Sequence, residues 1–175
     1  MVPTRGLLLV YTGQGKGKTT AAIGQAFRAL GHGMRVCFIQ FIKGPWCCGE
    51  VAAAERFGDL LQWHVTGRGF TWESADREED IRAAQEAWAL AREVLRSGEY
   101  ELVVLDELTY LLKYGMVEQD EVLEALATRR DGLHVVVTGR EAPPALLALA
   151  DLASEMTELR HPYQQGEPAR KGIEF

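Results

Sequence analysis

Residues 12–20 combine glycine, lysine and threonine at the spacing of a phosphate-binding loop. The segment reads Thr-Gly-Gln-Gly-Lys-Gly-Lys-Thr-Thr and ends in the Gly-Lys-Thr of a Walker A sequence. Glycines let the main chain curl until successive N–H groups converge on phosphate oxygens, and a following helix adds the positive end of its dipole. We expect Lys18 to reach the terminal phosphates and the Thr19 hydroxyl to ligate Mg²⁺. The segment therefore predicts a site for the triphosphate of ATP.

One position of this loop departs from the common pattern. Thr12 stands where the first glycine is expected, and Gly13 follows one residue later. The loop is therefore expected to curl differently from that of a common kinase. The residues predicted to bind the nucleotide in this segment are Thr12, Gly13, Gln14, Gly15, Lys16, Gly17, Lys18, Thr19 and Thr20.

A pair of carboxylates forms the second chemical feature. Asp106 and Glu107 follow directly on the apolar run of residues 102–105. Such a strand end has the character of a Walker B segment, which holds magnesium directly or through water. Acidic strand ends are common on their own. Together with the loop, this one predicts that at least one of the two side chains contacts the metal, and which of them binds it directly is left open.

The strands that must position these residues are short apolar runs separated by helical patterns. Alternation of this kind predicts an α/β fold with a P-loop-type, doubly wound and mainly parallel sheet flanked by helices. Ligands of such sheets lie at the carboxyl ends of the strands. The predicted strands are residues 7–11, 36–41, 102–105 and 133–138, with a weaker one at 60–65 and another near 156–159.

Two helices are predicted from apolar residues that recur every three or four positions. The first follows the phosphate loop and ends near Gly31 and Gly33. The second runs from about residue 76 to 97 and places Trp88 in the core. The apolar stripe predicted for the first helix consists of Ala22, Ile23, Ala26, Phe27 and Leu30.

Composition and charge narrow the class of protein. The chain has 175 residues, the usual size of one domain, so a single domain over residues 1–175 is predicted. A net charge of −6 argues against binding to nucleic acid, which requires many lysines and arginines. No run approaches the roughly 20 apolar residues that cross a bilayer, and residues 1–5 lack the features of a signal peptide. We therefore expect a cytoplasmic protein with no membrane partner.

Six segments, in order, give the chain a resemblance to a known family. The chain resembles the ATP:corrinoid adenosyltransferases of the type that makes adenosylcobalamin, and the match covers almost its whole length. The segments are residues 12–20, Gln40-Phe41-Ile42-Lys43-Gly44, Gly69-Phe70-Thr71-Trp72, Leu105-Asp106-Glu107, Thr138-Gly139-Arg140 and Lys171-Gly172-Ile173-Glu174-Phe175.

This resemblance implies a reaction and further site residues. In the family, Co(I) of a corrinoid attacks the 5′ carbon of ATP and releases inorganic triphosphate, so no nucleophilic side chain is required. Phe70 and Trp72 are implied to lie against the lower face of the corrinoid and to displace the axial ligand of Co(II), and Arg140 to join the nucleotide site. The resemblance also implies a reduced flavoprotein or flavin as electron donor, and a homodimer.

Two other readings of the sequence use the same loop. A small-molecule kinase would transfer the γ-phosphoryl group and usually needs a lid with arginines, for which Arg129 and Arg130 are candidates unless they simply form a turn. A nucleotide-gated regulatory module would use ATP only to switch an interface. The role of the C-terminal segment is also open, since Glu174 either closes over the nucleotide or belongs to a solvated tail.

Overall fold

Six strands form one parallel sheet in the part of the chain that the computed structural model describes, which is residues 5–43, 49–67 and 77–174. Their order across the sheet is β3-β2-β4-β5-β1-β6, and every pairing between neighbours is parallel. The predicted α/β fold with a doubly wound sheet is confirmed. The strands are β1 (Leu8–Thr12), β2 (Val36–Gln40), β3 (Leu61–Val65), β4 (Leu102–Asp106), β5 (His134–Thr138) and β6 (Leu152–Glu155).

Helices cover both faces of the sheet, which is why the central strands are continuous apolar runs. All five residues of β2 and of β4 are buried. One face packs Leu9, Phe38 and Val104 against the first helix, and the other packs alternate strand residues against the later helices. The α-helices are α1 (Lys18–Gly31), α2 (Gly49–Ala54), α3 (Arg77–Ser97), α4 (Leu108–Lys113), α5 (Gln119–Ala127) and α6 (Pro144–Leu149).

The long helix α3 confirms the periodic pattern of the sequence. Its described residues begin at Arg77 and end at Ser97, and Trp88 is 3% exposed within the core. Three acidic residues in its first turn, residues 78–80, lie where the positive end of the helix dipole stabilises negative charge. None of the helices in the described ranges is long and apolar enough to cross a bilayer.

One prediction about local structure was wrong. The last strand is Leu152–Glu155, before the predicted position near residues 156–159. β6 is an edge strand that pairs with β1, and all four of its residues are exposed, so it lacks the apolar signal of a buried strand. Phe27, one of the apolar residues at helical spacing in α1, is 64% exposed and makes an edge-to-face contact with Phe57.

Candidate active site

The phosphate loop lies at the carboxyl end of β1, between Thr12 and Lys18. Gly13 and Gly17 have φ of 98° and 105°, values that glycine adopts without strain. The first main-chain bond of α1 runs from the amide of Ala21 to the carbonyl of Gly17 at 2.8 Å. The amides of residues 18–20, as in any first helical turn, have no partner inside the helix. The start of α1 therefore presents main-chain N–H donors at the loop.

Lys18 is buried within the curl of the loop. Its Nζ donates to the carbonyl oxygens of Gly13 at 2.9 Å and Gly15 at 2.7 Å. Burial lowers the pKa of Lys18, and the nearby carboxylate of Glu107 opposes that shift. The ammonium group is therefore held beside the loop amides, where a phosphate chain would meet both.

The segment after β6 packs directly against the glycines of the loop. The amide of Met156 donates to the carbonyl of Thr12 at 2.8 Å, and the amide of Gly15 donates to the carbonyl of Met156 at 2.7 Å. A Cβ atom on Gly13 would lie 2.4 Å from the Met156 oxygen, and one on Gly15 would lie 2.8 Å from it. Both glycines are thus required by close approach of main chain.

Thr12, the departure from the common pattern, has a structural role. Its Oγ1 accepts a hydrogen bond from the amide of Ala142 at 3.1 Å, which ties the end of β1 to the chain after β5. The side-chain amide of Gln14 donates to the carboxylate of Glu141 at 3.4 Å and so also connects the loop to the chain after β5. Thr20 is exposed in the first turn of α1.

Lys16, on the exposed side of the loop, forms an ion pair with Glu174. The C-terminal segment therefore contacts the phosphate loop through Glu174. Arg170 instead pairs with Glu167 at 2.5 Å and is exposed.

Asp106 ends β4 at the centre of a buried hydrogen-bond network. Its Oδ1 accepts from the hydroxyls of Thr19 at 2.9 Å and Thr138 at 2.7 Å, and its Oδ2 accepts from the amide of Gln40 at 3.2 Å. The side chain is fully buried, and this burial raises its pKa against the lowering effect of the three donors. Asp106 thus joins the phosphate loop to the ends of three strands.

Glu107 follows in a strained conformation. Its φ is 64°, in the left-handed region that a non-glycine residue rarely adopts, and its amide donates to the hydroxyl of Thr138 at 2.9 Å. Its Oε2 is buried and has no hydrogen-bond partner within the described part of the chain. Burial and the neighbouring Asp106 raise the pKa of Glu107 to about 7, and Lys18 opposes the shift. Such a combination of strain and an unsatisfied acid is typical of functional sites.

The chain after β5 completes this edge of the sheet. Gly139 has a φ of 141°, and a Cβ atom there would lie 2.0 Å from Oγ1 of Thr109 and 3.2 Å from Oε2 of Glu107. The Thr109 hydroxyl donates to the carbonyl of Arg140 at 2.7 Å. The Arg140 side chain is exposed, and its charge acts on both Lys18 and Glu107. Arg140 therefore lies at the same edge as the loop.

Oxygen donors suited to Mg²⁺ meet at this edge. The Thr19 hydroxyl lies 2.9 Å from Oδ1 of Asp106. Glu107, the next residue after Asp106, has a buried Oε2 without a hydrogen-bond partner in the described part of the chain. Hydroxyl and carboxylate oxygens are hard ligands of the kind that Mg²⁺ prefers. The residues present therefore fit the predicted metal.

Gln40 and Thr138 hold Asp106, a role that the sequence reasoning did not assign to them. Both lie in segments on which the family resemblance rests, and each is a polar residue at the end of a buried apolar strand. That position was the available signal, since a buried amide or hydroxyl must find a partner. Phe70 and Trp72, the predicted aromatic residues, lie outside the described residues.

Arg129 and Arg130 are at the opposite edge of the sheet. Arg129 donates to the carbonyl of Gly6, before β1 begins, at 2.6 Å, and Arg130 donates to the carbonyl of Tyr100, before β4 begins. The five residues of β1 separate them from the phosphate loop by roughly 15 Å. They do not form the lid that a small-molecule kinase would need, and the simpler interpretation as structural residues holds.

Solved structures show a likeness of fold. The flagellar accessory protein FlaH from Methanocaldococcus jannaschii aligns with a TM-score of 0.55 and 11% identity, covering 88% of this chain and 72% of that chain. At this identity the likeness shows the fold alone, a P-loop NTPase-like sheet flanked by helices.

Sequence comparisons extend the likeness to a family. A corrinoid adenosyltransferase of Pseudomonas aeruginosa is 48% identical over 171 residues, which cover 98% of this chain and 84% of that protein. The corrinoid adenosyltransferase of Escherichia coli K12 and corrinoid adenosyltransferase CobA of Salmonella typhimurium are each 42% identical, over 98% of this chain and 86% of theirs. The sequence model of the family described as ATP:corrinoid adenosyltransferase BtuR/CobO/CobP matches residues 4–175. With a match over nearly its whole length, the chain belongs to the ATP:corrinoid adenosyltransferase family.

Proposed function

We propose that the phosphate loop and the acidic pair at the end of β4 carry out the reaction of this family. That reaction transfers the 5′-deoxyadenosyl group of ATP to the Co(I) of a corrinoid, with release of inorganic triphosphate, in adenosylcobalamin biosynthesis. The observation that carries the assignment is the contact between the two motifs, in which the Thr19 hydroxyl donates to Asp106 at 2.9 Å.

The chemistry asks the protein for position and charge stabilisation. Co(I) of the substrate supplies the electron pair of the new cobalt–carbon bond, and the bond from the 5′ carbon to oxygen breaks with its electrons passing to the triphosphate. Negative charge therefore grows on the leaving triphosphate, and the step involves no proton transfer. We propose that the loop amides, Lys16 and Lys18 stabilise that charge, and that Arg140, whose charge acts on Lys18, adds a cation at the same edge. No acid, base or nucleophilic side chain is needed.

Mg²⁺ belongs to the same proposal. Thr19 and at least one of Asp106 and Glu107 would hold the ion, directly or through water, since their oxygens meet at one edge of the sheet. When bound, the ion neutralises charge on the phosphate oxygens of the substrate. Burial keeps the pKa values of both carboxyl groups high, so the two carboxylates gain from a nearby cation.

Phe70 and Trp72 are proposed to act on the corrinoid before the transfer. An aromatic surface that displaces the axial ligand of Co(II) lowers the orbital that accepts the electron and makes reduction to Co(I) easier. The family resemblance supports this role. We further propose a reduced flavoprotein or flavin as donor and a homodimer as the working form, on the same ground.

A contrast between two assays tests the aromatic pair. Phe70→Ala and Trp72→Ala should leave ATP affinity within about twofold, because the phosphate loop is unchanged. Their activity should fall most when a mild reductant must reduce enzyme-bound Co(II), and should recover substantially when chemically reduced Co(I) is supplied. Equal loss in both assays would show a general packing role instead.

The decisive experiment for the proposed function identifies both products. The protein is incubated with ATP, Mg²⁺ and chemically reduced cobalamin, the visible spectrum reports the cobalt–carbon bond, and chromatography identifies the phosphate product. Stoichiometric inorganic triphosphate is expected because substitution at the 5′ carbon expels all three phosphates together. ADP with a phosphorylated acceptor would instead establish the kinase.

A further inference from the structure

We propose that Gln40 is a positioning residue for Asp106, and that Trp63 fixes the orientation in which Gln40 acts. The inference rests on the proposed function in one respect, that Asp106 serves the magnesium–nucleotide complex. It assigns to two residues outside the phosphate loop and the acidic pair a measurable part in metal-dependent nucleotide binding.

Gln40 supports the oxygen of Asp106 that faces away from the phosphate loop. The two threonine hydroxyls both donate to Oδ1, while Oδ2 accepts from Nε2 of Gln40 at 3.2 Å. Gln40 is 1% exposed and Asp106 is 0% exposed, so water does not compete for this bond. Without a donor at Oδ2, the plane of the carboxylate would be held only by the two threonine hydroxyls at Oδ1. The amide therefore fixes the plane of the carboxylate in the orientation that meets Thr19.

Trp63 determines which end of the Gln40 amide faces Asp106. Its indole Nε1 donates to Oε1 of Gln40 at 3.0 Å. An indole N–H can only donate, and a carboxylate can only accept. The amide satisfies both neighbours in one orientation only. Rotating it by 180° would set its oxygen against the Asp106 carboxylate and its NH₂ group against the indole N–H.

Trp63 and Gln40 are each held in place by further contacts. The Trp63 ring is stacked on Phe38 with a centroid distance of 3.9 Å and an interplanar angle of 2°. The main-chain carbonyl of Gln40 accepts from the amide of Thr66 at 3.0 Å and from its hydroxyl at 2.9 Å. Neither the ring nor the backbone of Gln40 needs to move for the amide to meet Asp106, so the arrangement is preorganised.

A neutral donor suits this position better than a charged one. It stabilises the ionised form of Asp106 against burial, as the lowering effect of Gln40 on the Asp106 pKa shows. A lysine here would do the same but would repel a cation bound at the other oxygen. Residues that orient the ligands of a metal change its affinity by roughly 10- to 100-fold when removed.

The test measures ATP binding by calorimetry at a series of Mg²⁺ concentrations, without corrinoid. In Gln40→Met, which has similar length but no donor, the Mg²⁺ concentration for half-maximal binding should rise about 10- to 100-fold. ATP binding in excess chelator should stay within about twofold of the unsubstituted protein. The matched control is Gln62→Met on β3. The Gln62 side chain accepts from the hydroxyl of Tyr100, which precedes β4, so this substitution should leave both quantities unchanged.

Trp63→Phe provides a second variant that keeps the aromatic stack on Phe38 but loses the indole donor. We expect the same direction of change with a smaller size, about three- to tenfold, because the amide can then rotate. The inference is overturned if either variant leaves the Mg²⁺ requirement within twofold, or weakens binding equally with and without the metal. If ATP binding of the unsubstituted protein does not depend on Mg²⁺, the proposed function itself is at fault at this site.

Discussion

The strands of the sheet begin at what we call its amino edge and end at its carboxyl edge, and each of these holds a buried cation beside a carboxylate. The pKa values of the carboxyl groups are shifted in opposite directions at the two places. At the amino edge, Arg129 donates to Asp151 at 3.1 Å, and the amide of Leu8 donates to the same carboxylate oxygen at 2.8 Å. The pKa of Asp151 is held below its usual range, first by the Leu8 amide and then by the arginines nearby. At the carboxyl edge, burial raises the pKa values of both Asp106 and Glu107.

The difference separates charges that stabilise the fold from charges that, in the proposed function, serve the reaction. Arg129 has acceptors from three segments, the third being the carbonyl of Leu126 at 2.6 Å. Glu107 combines a left-handed backbone with a buried oxygen that has no partner, and both cost folding free energy. A sequence that retains such a residue does so against its own stability, which is expected where substrates supply the missing interactions.

Lys18→Ala and Thr19→Ala should give the largest effect. Each removes a group that contacts the leaving triphosphate or its metal, so adenosyl transfer should fall about 100- to 1000-fold, or roughly 3–4 kcal/mol. The fold should stay intact, although each variant loses hydrogen bonds to buried acceptors, at a cost of about 1–2 kcal/mol in the free energy of unfolding. Steady-state transfer from chemically reduced cobalamin measures the loss, and turnover near that of the unsubstituted protein would remove the loop from the mechanism.

Glu107→Gln should stabilise the protein at high pH while weakening magnesium-dependent nucleotide binding. The pKa is about 7 in the folded chain and 4.5 in the unfolded one, so folding opposes ionisation. This penalty is absent below pH 4.5, grows as pH rises through the window to 7, and reaches about 3 kcal/mol above it. Urea unfolding of the two proteins without ligands should therefore differ at pH 8 and converge near pH 4.5. A pH-independent difference would contradict the assignment.

Arg129→Met should show the reverse pattern at the other edge. Removing the guanidinium leaves the carbonyls of Gly6 and Leu126 without their donor, at a cost of about 2 kcal/mol in the free energy of unfolding. The rate of adenosyl transfer below the unfolding temperature should stay within twofold. Chemical denaturation and turnover of the same preparation measure the two quantities. A large loss of turnover in the folded variant would end the distinction between the edges.

Glu174→Gln should give the smallest effect. The carboxylate pairs with Lys16, whose side chain is 47% exposed, so the pair contributes at most about 1 kcal/mol. Because Glu174 and a triphosphate both attract Lys16, the substitution should tighten ATP binding up to about fivefold at low salt and less at high salt. Exposed Glu167→Gln, which affects Arg170 instead, is the matched control. Weaker ATP binding in Glu174→Gln would mean that the carboxylate assists the nucleotide.

The sequence predicted those features that local pattern determines. A Gly-Lys-Thr segment between an apolar strand and a helix indicates a loop of the phosphate-binding type. The apolar run before Asp106 indicates a buried strand. Trp88 was correctly placed in the core because α3 is long enough for its periodicity to be clear.

The features that escaped prediction depend on contacts between distant segments. β6 is recognisable only through its pairing with β1, since its residues are exposed. The hydrogen bonds of Gln40 to Asp106 and of Trp63 to Gln40 join residues 66 and 23 positions apart. No local spacing encodes them. The contact of Phe27 with Phe57 likewise joins two segments that the helical pattern does not connect.

Because Met156 packs against the phosphate loop, the presence of the loop glycines is not by itself a sign that a protein of this fold binds nucleotide. Gly13 and Gly15 are excluded from carrying a side chain by the main chain of the neighbouring segment, whether or not a nucleotide is bound. A descendant that lost catalysis but kept this fold would still be under selection to keep both glycines. In sorting active members from inactive ones, Glu107 is therefore a more informative position than the glycines, because its left-handed backbone and buried Oε2 give the fold alone no reason to retain it.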